Sequence, residues 1–223
     1  MFKVNYSKNA GGEIFLYDSI GSDPFFGGVG AKEFSQAISD LGNVSKLRIR
    51  MNSAGGDVFE GFAIYNQIRR LDYPVDVYVD GLAASIASVI AMAGDKIYMA
   101  EPSQIMMHNP WGFGVGDADS LRSVAQELDS LKHAIAGVYN KSSGVDGEKI
   151  KRWMDDETWF SETEAVEAGL ADKVFEPVKA AAWSIPANLA RAFRHAPAPP
   201  QTPRLDARRG KIASILEKRA SAV

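Results

Sequence analysis

Four short segments of this chain hold residue types whose chemistry can be combined. The first is Asp80-Gly-Leu-Ala-Ala-Ser85-Ile-Ala-Ser-Val-Ile-Ala-Met-Ala-Gly94, in which a strand is expected to end, Gly81 to turn the chain, and a helix of small and apolar residues to begin at Ser85. A serine there has unpaired backbone N–H groups and the positive end of the helix dipole beside its hydroxyl, surroundings that suit a nucleophile whose reaction builds an oxyanion. The plain alternative is a serine that only caps the helix. Ser88, one turn further on, reads as a packing residue. The second segment, Arg50-Met-Asn-Ser-Ala-Gly-Gly-Asp57, joins a strand to a helix through Gly55 and Gly56, where missing side chains permit close approach of another backbone. It is either a tight turn or a place where the Gly56 N–H meets a carbonyl and extended backbone pairs with a peptide held as a strand. Neither glycine pattern that cradles phosphate occurs here or at Gly27-Gly-Val-Gly30.

The third segment is Met106-Met-His108-Asn-Pro-Trp-Gly112, a histidine just after a strand and just before a turn. Of the three histidines, His133 falls within a long helix and His195 near the C-terminal end, so His108 is the one placed as a base on a rigid scaffold should be. The fourth, Asp155-Asp-Glu157-Thr-Trp159, supplies three carboxylates, any of which can orient an imidazole; taken alone, such a cluster is usually only solvated. The order serine, histidine, acid differs from that of α/β-hydrolases, and Ala83-Ala-Ser85-Ile-Ala87 is not their G-x-S-x-G elbow.

These residues need rigid elements to hold them. Short strand-like runs are expected at Phe2 to Tyr6, Glu13 to Ile20, Leu47 to Asn52, Val75 to Val79, Lys96 to Met99 and Gln104 to Met107. Helices are expected between them at Ala31 to Leu41, Val58 to Leu71 and Ser85 to Ala93. Alternation of this kind is the signature of βαβ units. In the second helix Val58, Phe59, Phe62, Tyr65, Ile68 and Leu71 fall at helical spacing and predict one apolar face. A longer helix from about Asp117 to Ser142 carries Leu121, Val124, Leu128, Leu131, Ile135 and Val138 in a narrow seam, which packs within the subunit or meets its copy in another. A short helix around Glu148 to Met154 follows, then a capping box at Ser161-Glu-Thr-Glu164, a helix closed by Gly169, and a last strand at Asp172 to Phe175.

Composition sets the outer limits. The 223 residues are 46% hydrophobic and 24% charged, enough for one main domain. There is no cysteine, so disulfides, thiolate metal sites and thiol nucleophiles are excluded. The absence of a long apolar run and of a basic-then-apolar start predicts a soluble, cytoplasmic protein without membrane contact. Residues 179–223 hold nine Lys or Arg against Asp206 and Glu217, a balance of +7; with a net charge of −3, the first 178 residues carry −10. An acidic body argues against nucleic acid as a partner. The expected organisation is a folded domain over 1–178 and a basic, proline-containing tail over 179–223, flexible apart from a short helix near Ala207 to Lys218.

Taken together, Asn52-Ser-Ala-Gly-Gly56, Gly81-Leu-Ala-Ala-Ser85, Met107-His108-Asn-Pro-Trp-Gly112 and Glu157-Thr-Trp-Phe-Ser-Glu-Thr-Glu-Ala165 with Gly169-Leu-Ala-Asp172 resemble the Clp protease family, peptidase component, in order and approximate spacing. The Glu-Thr-Trp run is similar to the bacteriophage and prophage branch, often head-maturation proteases. The resemblance implies an α/β ClpP/crotonase-type spiral of βαβ units with a protruding long helix. It further implies a serine endopeptidase that needs no cofactor, metal or ATP for hydrolysis itself, with Ser85 as nucleophile, His108 as base and the N–H groups of Gly56 and Ile86 as oxyanion hole. The third position usually holds Asp; here it matches Glu157, with Asp156 as the competitor. Gly55, Trp111 and Gly112 are expected to line the substrate. Expected partners are a peptide or protein substrate, further copies in heptameric rings stacked in pairs, and an AAA+ unfoldase or capsid proteins. The rivals are a crotonase-type acyl-CoA enzyme, which would not need Ser85, and a catalytically silent assembly protein of the same fold.

Overall fold

A computed structural model describes residues 3–7, 11–21, 28–175 and 194–195. The remainder of the basic tail, including its prolines and the helix expected near 207–218, lies outside the described residues, as does the start of the first predicted strand.

The core is one eight-stranded sheet. Strand β1 (Lys3–Ser7) pairs antiparallel with β2 (Gly11–Leu16), and β2 runs parallel to β3 (Leu47–Ser53). Next to β3 lies β4 (Val75–Ala84), followed in the parallel order by β5 (Lys96–Ala100) and β8 (Lys173–Phe175). Two further strands leave this path: β6 (Gln104–Met107) runs parallel to β4, and β7 (Thr158–Ser161) is antiparallel to β6. Helices α1 (Ala31–Leu41) and α2 (Val58–Arg69) connect the early strands, and α3 (Ile86–Ala91) follows β4 directly. The C-terminal half carries α4 (Ala118–Ser143), α5 (Gly147–Asp155) and α6 (Glu162–Glu167).

Residue types account for most of this order. β3 reads Leu-Arg-Ile-Arg-Met-Asn-Ser and buries every second residue, whereas β4 is buried almost throughout, as a central parallel strand covered on both faces must be. The long helix begins at an Asp117 cap that accepts from the Ser120 N–H and ends at Gly144 in the left-handed conformation. The Ser161–Glu164 capping box forms as predicted and opens α6.

Three expectations change. Gly81 does not end β4, which continues three residues beyond it to Ala84; its first part, Asp76 to Val79, pairs with β5 and its last part, Leu82 to Ala84, with β6. One strand thus serves two ladders, and the chain is delivered at Ser85 in line with a buried strand rather than after a loop. Phe59 is 59% exposed and does not belong to the buried face of α2, which is formed by Gly61, Ile64 and Ile68. At Gly61 a β-carbon would sit 2.1 Å from Ile86 Cγ1, so the missing side chain lets α2 and α3 pack closely behind the candidate site. Finally, Thr158–Ser161 is a strand that the sequence pattern does not announce.

An ion pair fixes the middle of the sheet. Asp80 on β4 is 5% exposed and is met by the Arg50 guanidinium from β3 through Nε at 2.7 Å and through Nη2, while the Tyr17 hydroxyl donates to it at 2.5 Å. A buried carboxylate needs such partners, because burial alone drives its pKa upward. The cluster pins β3 to β4 five residues before Ser85.

Candidate active site

Ser85 stands where β4 passes into α3 without an intervening loop. Its φ of 55° and ψ of −131° lie in a region that non-glycine residues rarely adopt, and its side chain makes no hydrogen bond to the helix it precedes. The reading of Ser85 as a simple cap is therefore not what the structure holds. Its N–H donates to the Met106 carbonyl at 3.0 Å, which ties the turn to the end of β6. Two residues beyond Met106 the chain leaves β6 at His108, and His108 Nε2 lies 2.8 Å from Ser85 Oγ. The ladder between β4 and β6 is thus what sets the distance between serine and imidazole.

The loop after His108 is held from the other side. Asn109 N–H donates to the Met154 carbonyl at 3.2 Å, and its side-chain amide donates to Asp155 at 2.8 Å, with Lys132 of α4 completing the Asp155 carboxylate. Asp155 is thereby a support for the histidine loop. The Asp156 side chain is exposed, whereas Glu157 is 6% exposed and lies close enough for its charge to act on His108. Glu157 has φ 51°, and Ser85 and Glu157 are the two non-glycine residues with positive φ among the described residues. Unfavourable backbone geometry of this kind costs on the order of 1–3 kcal/mol and persists where its surroundings enforce it.

The electrostatics have two sides. Burial disfavours the imidazolium and holds the His108 pKa below its usual value, Glu157 opposes that shift, and Arg194 adds to it. For Glu157 burial acts upward, yet hydrogen bonds from the backbone N–H groups of Arg194 and His195 and from the Trp159 indole outweigh it and leave the carboxyl below the ordinary range. Among the described residues, the hydrogen bonds of this carboxylate are those three.

The glycine pair arrives from β3. At Gly55, with φ 90°, a β-carbon would lie 2.7 Å from Ser85 Cβ and 2.8 Å from the Ala84 carbonyl; at Gly56, with φ 152°, it would lie 2.0 Å from the Ile20 carbonyl. Only glycine fits, and Gly55 consequently runs directly against the serine turn while Gly56 runs against the Ile20 backbone. Ile86 opens α3, so its N–H is one that no intrahelical carbonyl can reach. On the loop after His108, Trp111 is 53% exposed and meets Phe113 edge to face, and Gly112 faces Leu128 of α4.

Ser88 is more than a packing residue. Its hydroxyl lies 2.5 Å from the Ser85 carbonyl, 2.9 Å from the Met106 carbonyl and 2.7 Å from the Tyr139 hydroxyl of α4. A serine has one proton to donate and both carbonyls accept, so Tyr139 supplies the proton of the third bond. Tyr139, one position beyond the apolar seam, has no signal in the sequence that ties it to the serine turn. The contact of residues 194–195 with Glu157 has no local signal in the sequence.

The Clp protease family profile matches residues 36–178, which include Gly55, Gly56, Ser85, His108 and Glu157. The chain belongs to the Clp protease family. Relatives within the family include the ATP-dependent Clp protease proteolytic subunit 1 of Protochlamydia amoebophila, 36% identical over 128 residues that cover 56% of this chain and 62% of the relative. The proteolytic subunit of Porphyromonas gingivalis is 33% identical over 58% of this chain and 60% of its own length. That of Chlamydia muridarum, named subunit 1, is 37% identical over 56% and 67%. The chain thus spans about three fifths of the length of the first two of these Clp subunits. A mutant of ClpP1 from Listeria monocytogenes superimposes with a TM-score of 0.66 at 23% identity, covering 74% of this chain and 92% of that one, which establishes the fold. The predicted α/β spiral of the Clp family is therefore the fold of this chain.

Proposed function

We propose that this member of the Clp protease family is a serine endopeptidase in which Ser85 is the nucleophile, His108 the general base and Glu157 the acid that stabilises the imidazolium. The observation that carries the reading is the 2.8 Å contact between His108 Nε2 and Ser85 Oγ at a strained strand-to-helix turn. His108 takes the Ser85 proton as the hydroxyl oxygen attacks a peptide carbonyl. The resulting oxyanion is held by the N–H groups of Gly56, next to the glycine that abuts Ser85, and of Ile86, the residue after it. Collapse expels the amine with the proton from His108 and leaves an acyl-serine; water, deprotonated by the same imidazole, then releases the acid and restores the serine. Extended substrate backbone pairs beside Gly55–Gly56, and Trp111 and Gly112 border its path. Every step of this scheme is carried by the side chains and backbone N–H groups just named, without metal, cofactor or nucleotide.

A fluorophosphonate tests the reaction class. Its expected outcome is one adduct on Ser85, abolished in Ser85→Ala and His108→Ala together with peptide hydrolysis. Tight acyl-CoA binding with no adduct would support a crotonase-type enzyme instead, and neither activity would leave an assembly protein.

Two biological settings suit this chemistry. Similarity to Clp proteolytic subunits supports rings fed by an AAA+ unfoldase, and no helix among the described residues is long and apolar enough to cross a membrane. The Glu157-Thr-Trp159 run, similar to the phage branch, favours processing of capsid proteins during head maturation.

A further inference from the structure

The Glu157 carboxylate is gripped by a piece of chain 37 and 38 residues downstream. Arg194 N–H donates to Oε2 at 2.7 Å and His195 N–H to Oε1 at 2.6 Å, so two successive backbone donors straddle the carboxylate, one on each oxygen. His195 Nδ1 lies 3.1 Å from the Asp156 carbonyl, which gives the segment a third hold on the same stretch of backbone. Paired backbone N–H groups are a general means of capturing an anion, and the anion they hold here is only 6% exposed.

The position of this contact matters because of what Glu157 faces. A triad acid works by placing negative charge against the imidazolium that forms as serine is deprotonated. Here the two short backbone bonds draw that charge toward the tail, and the Arg194 side chain brings a positive charge within electrostatic reach of His108. Of the charged groups acting on His108, Glu157 favours its protonation and Arg194 opposes it. Both effects of the segment make His108 a poorer proton acceptor from Ser85.

We infer that Arg194-His195 is an intramolecular inhibitory strap whose docking site is the Glu157 carboxylate and the Asp156 carbonyl, and that undocking it raises the rate of acylation at Ser85. The inference rests on the proposed Ser85, His108 and Glu157 triad. It assigns a role to the basic tail that composition alone leaves open, since the strap binds through its backbone donors and acts through one arginine.

The test uses the full-length chain. The double variant Arg194→Pro/His195→Pro removes both backbone donors, because proline has no N–H, and leaves every residue of the α/β body in place. Arg194→Ala removes the charge and keeps the donor. Two rates are read: fluorophosphonate labelling of Ser85, and kcat/KM for an unstructured fluorogenic peptide. The double variant is expected to react about tenfold faster or more, a barrier change of about 1.4 kcal/mol, with Arg194→Ala between it and wild type. A synthetic peptide spanning residues 188–201 is expected to slow the double variant again. Labelling that is unchanged or slower in the double variant overturns the strap and makes 194–195 a support for the acid. Absence of Ser85 labelling in wild type and variants alike overturns the peptidase reading itself, and the strap with it.

Discussion

His108 must be neutral to accept the Ser85 proton, and its surroundings favour that state. Burial lowers its pKa and Arg194 acts in the same direction, while Glu157 acts against both. The acidic limb of a kcat/KM profile reports the essential base of the free enzyme, so it is expected below the unperturbed histidine value of about 6.5. Replacing Glu157 by Gln removes the group that raises the pKa, so the limb should move to still lower pH as the rate falls, by up to about 10⁴-fold if the carboxylate acts as the triad acid. A limb that moves upward in Glu157→Gln would contradict the assignment. Ser85 and His108 stood out in the sequence because each follows a strand and each lies in a motif of fixed order. Glu157 was matched to the third position only through the family resemblance, with Asp156 as competitor, since by residue type three adjacent carboxylates look alike until the fold buries one, exposes the next and gives the third to Asn109 and Lys132.

Helix α4 reaches the site through one side chain. Tyr139, 1% exposed, donates to Ser88 Oγ, and Ser88 lies between the carbonyls of Ser85 and Met106, the residues that join the nucleophile turn to the histidine strand. Ser88 and Tyr139 are accordingly positioning residues. Tyr139→Phe deletes one buried hydrogen bond, worth about 1 kcal/mol, and is expected to lower kcat several-fold with KM little changed. Ser88→Ala removes the bond to both carbonyls and leaves the Tyr139 hydroxyl buried without its partner, so its effect on kcat should be larger. Steady-state kinetics beside thermal unfolding separates the cases: a lower melting temperature with unchanged kcat would reduce the pair to packing. Elements with a clear period were legible, as α1 and β6 show by matching their expected bounds. The continuation of β4 past Gly81 was not, because a glycine reads as a turn until a neighbour such as β6 offers a ladder that keeps it extended. Strand β7 is four residues long and owes its conformation to pairing with β6, a contact some 50 residues away that no local pattern records.

At the scale of the whole molecule, the seam of α4 divides in two. The C-terminal half of the helix packs inward through Ile135, Ala136 and Tyr139, while the N-terminal half leaves Leu121 47% exposed beside a segment in which Phe113 and Val115 are 90% and 98% exposed. A β-carbon on Gly114 would lie 3.1 Å from Leu121, so this segment and the helix form one continuous apolar surface with Leu128 at its inner edge. Single exposed apolar residues are ordinary on a monomer, but a cluster of Trp111, Phe113, Val115 and Leu121 is of the kind that protein–protein contacts cover. A second copy of the same seam is the partner its heptad spacing suits, since apolar residues three and four positions apart interdigitate across two helices. Leu128→Asp puts a charge into that seam without touching the sheet, the Asp80 cluster or Ser85. The fold, read by circular dichroism, is expected to survive, while the particle mass in light scattering falls because a buried unpaired carboxylate costs several kcal/mol at each contact. If the mass stays that of wild type, the seam packs within the subunit and assembly, where it occurs, uses another face.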